Sequence, residues 1–470
     1  MSQINITQYP GQLNLANSDL IWEITSALTG SPQYQFVCAL QDGCGNVLTT
    51  IKQQPNPSGK GVFNLGRIVK QYLDYDYTTL TIDQAYTTPF NKNSQTAKFF
   101  KVAFGEEYGA TLSSSVTPYS GVGTNTGSAA YTGSTNYYYW INGTLDPDYG
   151  SWNWNTSSFY SPEPTPNTGT FSKNVALTDA PRTQYIQSTD YASISVLNGN
   201  LTGGTTTAQD IAWAEYTVYT NGTASNNFYE NVNIAPPNTI YSGGPRVNSI
   251  TQAWSDVASV QTCANQSGSQ TSGSLLIHIG VGPKNLAFPE FTGSWDYYTV
   301  KLHPQSTGSY PGFNLNATWD TFTFIRQDAY CGYPGVRFAF INNYGVWDYF
   351  NFTLQNNKTT TLEKGTYKKN FVNYSTNGNS VDYNRLRRGT DTFYTNINEN
   401  YQISSDWLTQ EQADWLETLF YSPSVMIQDG DTWNPIVIND STFVSKSNPR
   451  TQKNFQYIIN YTLSNNKRSR

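Results

Sequence analysis

Histidine is nearly missing from this 470-residue chain, which has only His278 and His303, and cysteine is scarce, with Cys38, Cys44, Cys263 and Cys331. A His-dependent triad would have to use one of those two histidines. His278 lies in the apolar run LLIHIG and His303 stands before a proline, so both are expected to be structural. No His/Cys spacing matches a zinc site. PSGKG lacks the upstream Gly and downstream Ser/Thr of a phosphate-cradling loop, and GVGTNTG sits in a Gly/Ser/Thr tract. No cofactor or metal is therefore expected. Charge is also sparse, at 13% of residues, with a net −6 and a pI near 5.1, which argues against a binder that works by releasing counterions from nucleic acid. No apolar run approaches the roughly 20 residues of a membrane span. The opening MSQINITQYP has neither the basic nor the apolar part of a secretory signal. The expectation is a chain that stays in the cytoplasm that made it, with free thiols.

What is abundant is aromatic surface. Phe, Trp and Tyr make up 15% of the chain, and the 35 tyrosines outnumber the 27 lysines and arginines. Tyr, Thr, Val, Phe and Trp favour the half-buried surface of a strand, so the chain is expected to be mostly β, with one or two short helices. Tyrosine buries a ring while keeping its hydroxyl wet, which suits surfaces that a neighbour later covers.

Residues 1–88 read as an N-terminal β-sandwich. YQFVCALQ and VLTTIKQ flank the turn QDGCGN as a hairpin, and after PNPSGKG the period becomes helical at Val62, Leu65, Ile68, Val69 and Tyr72. Residues 89–325 read as a middle β-rich region. It has a strand at KFFKVAFGEEY, a Gly/Ser/Thr-rich loop over 110–135, and strands at YASISVL, IAWAEYTVYT, SLLIHIGVG and YYTVKLH. Residues 326–470 read as a C-terminal β domain. Its opening GVRFAFINNYGVWDYFNFTL alternates on both sides of the turn Asn342-Asn343-Tyr344-Gly345, so both faces of that hairpin need cover. A helix is expected between Thr409 and Tyr421, with Thr409 as N-cap, Gln412 closing a capping box and Leu408 stapling onto Ala413. A hairpin turning at Asp429-Gly430-Asp431 follows, then a strand at NFQYIINYTL and the basic tail NNKRSR.

Candidate chemistry is thin. Glu106-Glu107, and Asp146 with Asp148, could supply the two carboxylates of a glycosidase, but neighbouring acids on a strand point to opposite faces and Asp-Pro-Asp-Tyr-Gly is turn chemistry. Trp140, Trp152 and Trp154 could stack on sugar rings, which gives the alternative of a receptor- or glycan-binding fibre or adaptor protein. Arg385, Arg387 and Arg388 are the densest internal positive charge, with Arg385 and Arg387 on one face if they lie on a strand. Asp429 and Asp431 flank a glycine as a tight turn does, and could touch Ca²⁺.

Residues 326–463 resemble a C-terminal region of virion structural proteins from tailed phages of Bacteroides-type bacteria, including the crAss-like podophages. The matching pieces are GVRFAFINNYGVWDYFNF, YKKNFVNYS, RRGTDTFYTN, SDWLTQEQADWLETLFYSPSVMI, PIVINDSTFVSK and FQYIINYTLSNNKR, in that order and spacing. The N-terminal part is similar through YQFVCALQ, PNPSGKGVFNLGRIVKQYL and VAFGEEYG, with a weaker echo at APRTQYIQSTDYASISVLNG. About half the chain is covered, and most of 110–325 is not. The resemblance implies immunoglobulin-like β-sandwich units in a non-enzymatic subunit of the tail or neck. It implies assembly in the host cytoplasm as a homo-oligomeric ring, hub or fibre adaptor against other tail and portal-proximal proteins. A ring of that kind can enclose a passage for DNA, and the subunit would not insert into a membrane. Interface roles are expected for Trp347, Tyr349 and Phe350, and for Arg385 and Arg387.

Overall fold

The computed structural model describes residues 4–11, 13–42, 46–81, 90–91, 95–108, 138–144, 176–197, 211–225, 228–231, 276–286, 289–304, 320–327, 335–354, 356–368, 372–374, 381–383, 389–440 and 456–465. The protein is mostly β, with several sheets and a few short helices. It divides into two compact units. The first comprises residues 1–328 and 340–349, the second residues 329–339 and 350–470.

The first unit begins with two facing sheets. One has the strands Asn5–Gln8, Ile21–Thr25 and Lys60–Asn64; the other has Leu13–Leu15, Tyr138–Ile141, Ala97–Glu107, Gln35–Asp42 and Val47–Gln53. The hairpin expected at YQFVCALQ forms in register from Phe36↔Gln53 to Gln41↔Val47. Trp22 of the first sheet meets Phe104 and Tyr138 of the second at ring distances of 5.2 and 5.1 Å, which places the aromatic core between the layers. Cys38 lies in that core as a free thiol, and burial raises its pKa by penalising the thiolate. The boundary expected after residue 88 is not a structural one. Ala97–Glu107 pairs along the whole of Gln35–Asp42, and Phe100, Val102, Phe104, Tyr138 and Trp140 share the N-terminal core. The helical period starting at Val62 also shifts. Residues Lys60–Asn64 are a strand paired with Ile21–Thr25, and the helical turns Gly66–Val69 and Lys70–Tyr72 come after it. The Asn64 side chain sets that break, because its Oδ1 accepts from the backbone N–H of both Leu20 and Gly66.

Two further sheets complete the first unit. A six-stranded sheet runs Thr183–Ile186, Asp320–Arg326, Tyr297–Pro304, Ile211–Thr220 and Thr223–Ala224, with Phe228–Asn231 also paired to Ile211–Thr220. Its core is Tyr298, ringed by Phe291, Trp295 and Phe324 at 5.0 to 5.6 Å. A three-stranded sheet runs Ser193–Leu197, Leu276–Gly280 and Phe90–Asn91.

The turn 342–345 also belongs to this unit. Asn342 Oδ1 accepts from the N–H of Tyr344 and Val346, while its Nδ2 donates to the Leu177 carbonyl at 2.9 Å. Gly345 adopts φ +78°, and a Cβ there would lie 2.2 Å from the Asn142 carbonyl oxygen. Glycine is therefore required twice over, by the backbone and by the contact.

The second unit takes its strands from a seven-stranded sheet, in which Phe340, Ile341, Trp347, Asp348 and Tyr349 belong to the first unit. The sheet order is Trp347–Phe352, Val336–Ile341, Val425–Asp429, Thr432–Ile438, Ile458–Leu463, Thr390–Ser404 and Asn356–Lys368. The expected helix is present over Gln410–Tyr421. Thr409 Oγ1 accepts from the Gln412 N–H, and Gln412 Oε1 accepts from the Thr409 N–H. Trp415, Leu416 and Leu419 are buried along its inner stripe. Replacing Thr409 with Ala should remove about 1 kcal/mol from this helix. Amide exchange at 410–413 reads it, and unchanged protection there would show that packing alone holds the first turn. The expected hairpin after the helix forms with Asp429↔Thr432 flanking Gly430-Asp431.

Candidate functional site

The most chemically suggestive arrangement is in the first unit. Ser193–Leu197 and Leu276–Gly280 pair antiparallel with Ser195 directly opposite His278, which puts both side chains on one face. Ser195 Oγ lies 2.8 Å from His278 Nδ1, and His278 Nε2 lies 2.8 Å from Asp76 Oδ2. All three residues are buried. Asp76 is itself held from several sides. Its Oδ1 accepts from the Gln95 N–H, and its own N–H donates to Thr96 Oγ1 at 3.1 Å. Its carbonyl accepts from Thr79 Oγ1 at 2.6 Å and from Trp347 Nε1 at 3.0 Å.

The order Ser, His, Asp is that of a hydrolytic triad, and the surroundings decide what it can do. A nucleophilic serine is ordinarily lifted by a sharp turn to where a carbonyl can reach it, beside N–H groups that take up an oxyanion. Ser195 instead sits mid-strand in a five-residue ladder, with its carbonyl accepting from the Leu177 N–H at 2.9 Å. The adjoining cavity holds about 20 Å³, room for about one water molecule and not for an acyl group or sugar ring. Part of its polar lining is already engaged: Thr178 Oγ1 donates to Asp348 Oδ1 at 2.7 Å, and the Ser193 and Tyr349 hydroxyls are 2.9 Å apart. Ser195, His278 and Asp76 act here as a polar staple. The trio joins two paired strands to a segment 202 residues from His278.

His303 is likewise buried and bonded, with Nε2 at 2.7 Å from Glu215 Oε2, and Lys301 Nζ lies 3.7 Å from Glu215 Oε1. Burial by itself would raise the Glu215 pKa, but the His303 bond and the Lys301 charge outweigh it and hold the carboxyl below its ordinary 4.5. A depressed folded-state pKa means that Glu215 contributes stability above about pH 4.5, which is lost as pH falls through the lower folded-state value. Glu215→Gln should therefore weaken the first unit at pH 7 and flatten its stability profile below about pH 5. Urea unfolding at pH 7 and pH 4 reads this, and parallel profiles for parent and variant would refute it.

The other residues singled out in the sequence are placed as follows. Glu106 and Glu107 point apart. Glu106 Oε2 accepts from Ser26 at 2.7 Å and Tyr34 at 3.0 Å, whereas Glu107 is ion-paired with Lys52 at 2.7 Å. They do not converge on one bond. Trp140 is fully buried between Phe100 and Tyr138, at ring distances of 5.4 and 5.3 Å, so neither ring face is open to a sugar. Trp152, Trp154, Asp146, Asp148, Arg385, Arg387 and Arg388 lie outside the described residues. Among the described residues, no group of three or more His, Cys, Asp or Glu side chains is placed to hold a metal ion.

The interface expected at Trp347 and Tyr349 is corrected by their burial, at 2% and 5% exposure. Trp347 packs on Tyr77 at 5.6 Å and donates to Asp76, while Tyr349 bonds Ser193, so both are covered within the first unit. Phe350, in the second unit, is half-buried against Phe352 at 4.9 Å and Trp415 at 6.0 Å. Apolar alternation on both faces says that cover is needed, and here the chain provides its own.

Unoccupied surface lies elsewhere in the second unit. Asn356–Lys368 and Thr390–Ser404 pair over thirteen positions as a long ribbon, and 11 of the 13 residues in the outer strand are exposed. Only Asn400–Ser404 is also paired to Ile458–Thr462, so among the described residues the ribbon continues beyond the sheet as two strands. Its far end carries Tyr367, Phe393 and Tyr394, exposed by 44, 77 and 38%. Phe393 lies 6.2 Å from the Tyr367 ring and 6.1 Å from the Tyr394 ring. The Tyr394 ring lies over Gly365, where a Cβ would come within 2.2 Å of it. The chain matches no protein-family model, and no curated protein is similar enough to count as a relative. Sequence reasoning passed over the ribbon because TTTLEKGTYKK and TDTFYTNINEN are polar and only weakly alternating. The signal available was their length without a proline.

Proposed function

We propose that this chain is a structural component of a bacteriophage tail, forming a symmetric ring or hub that joins other tail proteins during virion assembly. The ribbon is the observation that carries this reading. A two-stranded ribbon is at best marginally stable alone in water. An extended arm with bare aromatic rings makes physical sense when assembly covers it. The buried histidines and the water-sized cavity support the same reading, since they use the rarest chemical groups of the chain to hold strands together. The resemblance of residues 326–463 to phage virion proteins supports the tail assignment. In it, GVRFAFINNYGVWDYFNF forms the hairpin and SDWLTQEQADWLETLFYSPSVMI forms the capped helix and the strand after it. No helix among the described residues is long and apolar enough to cross a membrane.

Electron microscopy of purified particles tests the proposal, with the chain expected at several symmetry-related copies in the tail or neck. Absence of the chain from purified particles ends it.

A further inference from the structure

We propose that Asn221 is a site of spontaneous covalent modification, at which the side-chain amide is lost to attack by the backbone nitrogen of Gly222. The product is a mixture of aspartate and isoaspartate at the tip of one hairpin. The reaction is independent of the tail reading, because it needs only water and the chain itself. Asn followed by Gly is the pair most open to this ring closure, since glycine has no Cβ to shield its nitrogen. The described residues contain two such pairs, Asn142-Gly143 and Asn221-Gly222, and the fold treats them in opposite ways. Asn221 and Gly222 form the two-residue turn between Ile211–Thr220 and Thr223–Ala224, with Thr220 opposite Thr223. Both have positive φ, +50° and +73°, as the tightest hairpin turn requires. Both are exposed, and among the described residues neither the Asn221 amide nor the Gly222 N–H has a hydrogen-bond partner. A Cβ built on Gly222 would meet nothing within 4 Å, so the approach to its nitrogen is open.

To close the ring, Asn221 must leave its left-handed turn conformation. Thr223–Ala224 pairs with its neighbour over only two positions, so opening the turn costs far less than opening the sheet. A bond then forms between Gly222 N and Asn221 Cγ while the Cγ–Nδ2 bond breaks. The departing nitrogen leaves as ammonia, carrying the proton that the Gly222 N–H gives up. Water opens the resulting cyclic imide. Attack at Cγ yields aspartate, and attack at the backbone carbonyl carbon yields isoaspartate, whose main chain runs through Cβ and Cγ. Either product adds a negative charge, and isoaspartate also lengthens the main chain of a turn that fits only two ordinary residues. Asn142 is held against the same reaction. It is buried, its Oδ1 accepts from Asn17 Nδ2 at 3.4 Å, and its Nδ2 donates to the Asp74 carbonyl at 3.5 Å. The Gly143 N–H donates to the Ile141 carbonyl at 2.8 Å, and Gly345 packs against the Asn142 carbonyl. Both reacting groups of that pair are engaged, so its conversion has to wait for the surrounding strands to open.

The test incubates the full chain in mildly alkaline buffer, once folded and once in urea. Peptides spanning each Asn-Gly pair are followed over time by mass spectrometry, and isoaspartate is identified by the enzymatic methylation specific to it. In the folded chain Asn221 is expected to convert more than about tenfold faster than Asn142. In urea the two rates should converge, because the reacting pair is the same and only the fold told them apart. Equal rates in the folded chain would overturn the assignment. So would an Asn221 that is still intact in the folded chain when the urea sample has fully converted, since the turn would then protect the pair and not expose it.

Discussion

Replacing Asp76 with alanine is expected to destabilise the first unit by about 2–6 kcal/mol, about 1–3 for each of the two buried groups left without a partner. The substitution strips the partner from His278 Nε2 and from the Gln95 N–H together, in a place where water has little access. Asp76→Asn should cost much less. Its amide oxygen can still accept from Gln95, and its amide nitrogen can donate to His278 if the imidazole proton moves to the Ser195 side. Ser195→Ala removes only the outer bond and should cost about 1 kcal/mol. The order Asp76→Ala, then Asp76→Asn, then Ser195→Ala separates a staple from a catalytic relay, in which losing the serine would matter most to function and least to stability. Because the chain has two compact units, amide exchange in Leu276–Gly280 is a better readout than a global unfolding signal. Protection of that strand within about 0.5 kcal/mol of the parent after Asp76→Ala would show that the trio does not hold the unit together.

Trp347→Ala should be comparably severe, at about 3–5 kcal/mol, through a different mechanism. The indole is almost wholly buried, packs at a tilt against Tyr77 and lines the small cavity, so its removal leaves a void that the surrounding strands cannot close. Trp347→Phe keeps most of the volume and loses the donor to the Asp76 carbonyl. That carbonyl still accepts from the Thr79 hydroxyl and N–H, so this variant should lose well under half as much. Urea unfolding followed by amide exchange at Ser193–Leu197 distinguishes the two. If alanine and phenylalanine cost the same, the hydrogen bond and not the packing carries the effect. If alanine costs nearly nothing, the ring is not the core residue that its burial indicates, and an interface role for Trp347 would have to be reopened.

Local features were legible in the sequence. The capping box at Thr409 and Gln412, the two-residue turn at Gly430-Asp431 and the hairpin around QDGCGN all depend on residues within a few positions of one another. Short-range hydrogen bonds and backbone preferences suffice to specify them. The break at Asn64 was less visible, since a side chain capping two backbone N–H groups overrides a helical period that continues on paper. Phe350 and Trp347 alternate in one strand with similar apolar partners, yet one is half-buried in the second unit and the other is hydrogen-bonded within the first.

Composition and periodicity by themselves determined that this would be a strand-dominated protein poor in reactive groups, because those properties sum over many residues and survive any arrangement of the elements. Only the tertiary structure decided that His278 would meet Ser195 and Asp76, that the tryptophan of the Tyr138–Ile141 strand would be sealed from solvent, and that a polar ribbon would project with bare rings at its end. Strand pairing and side-chain hydrogen bonds join segments separated by 83 and 202 residues without leaving any local mark on either. An aromatic side chain carries no record of whether its cover comes from its own chain or from another.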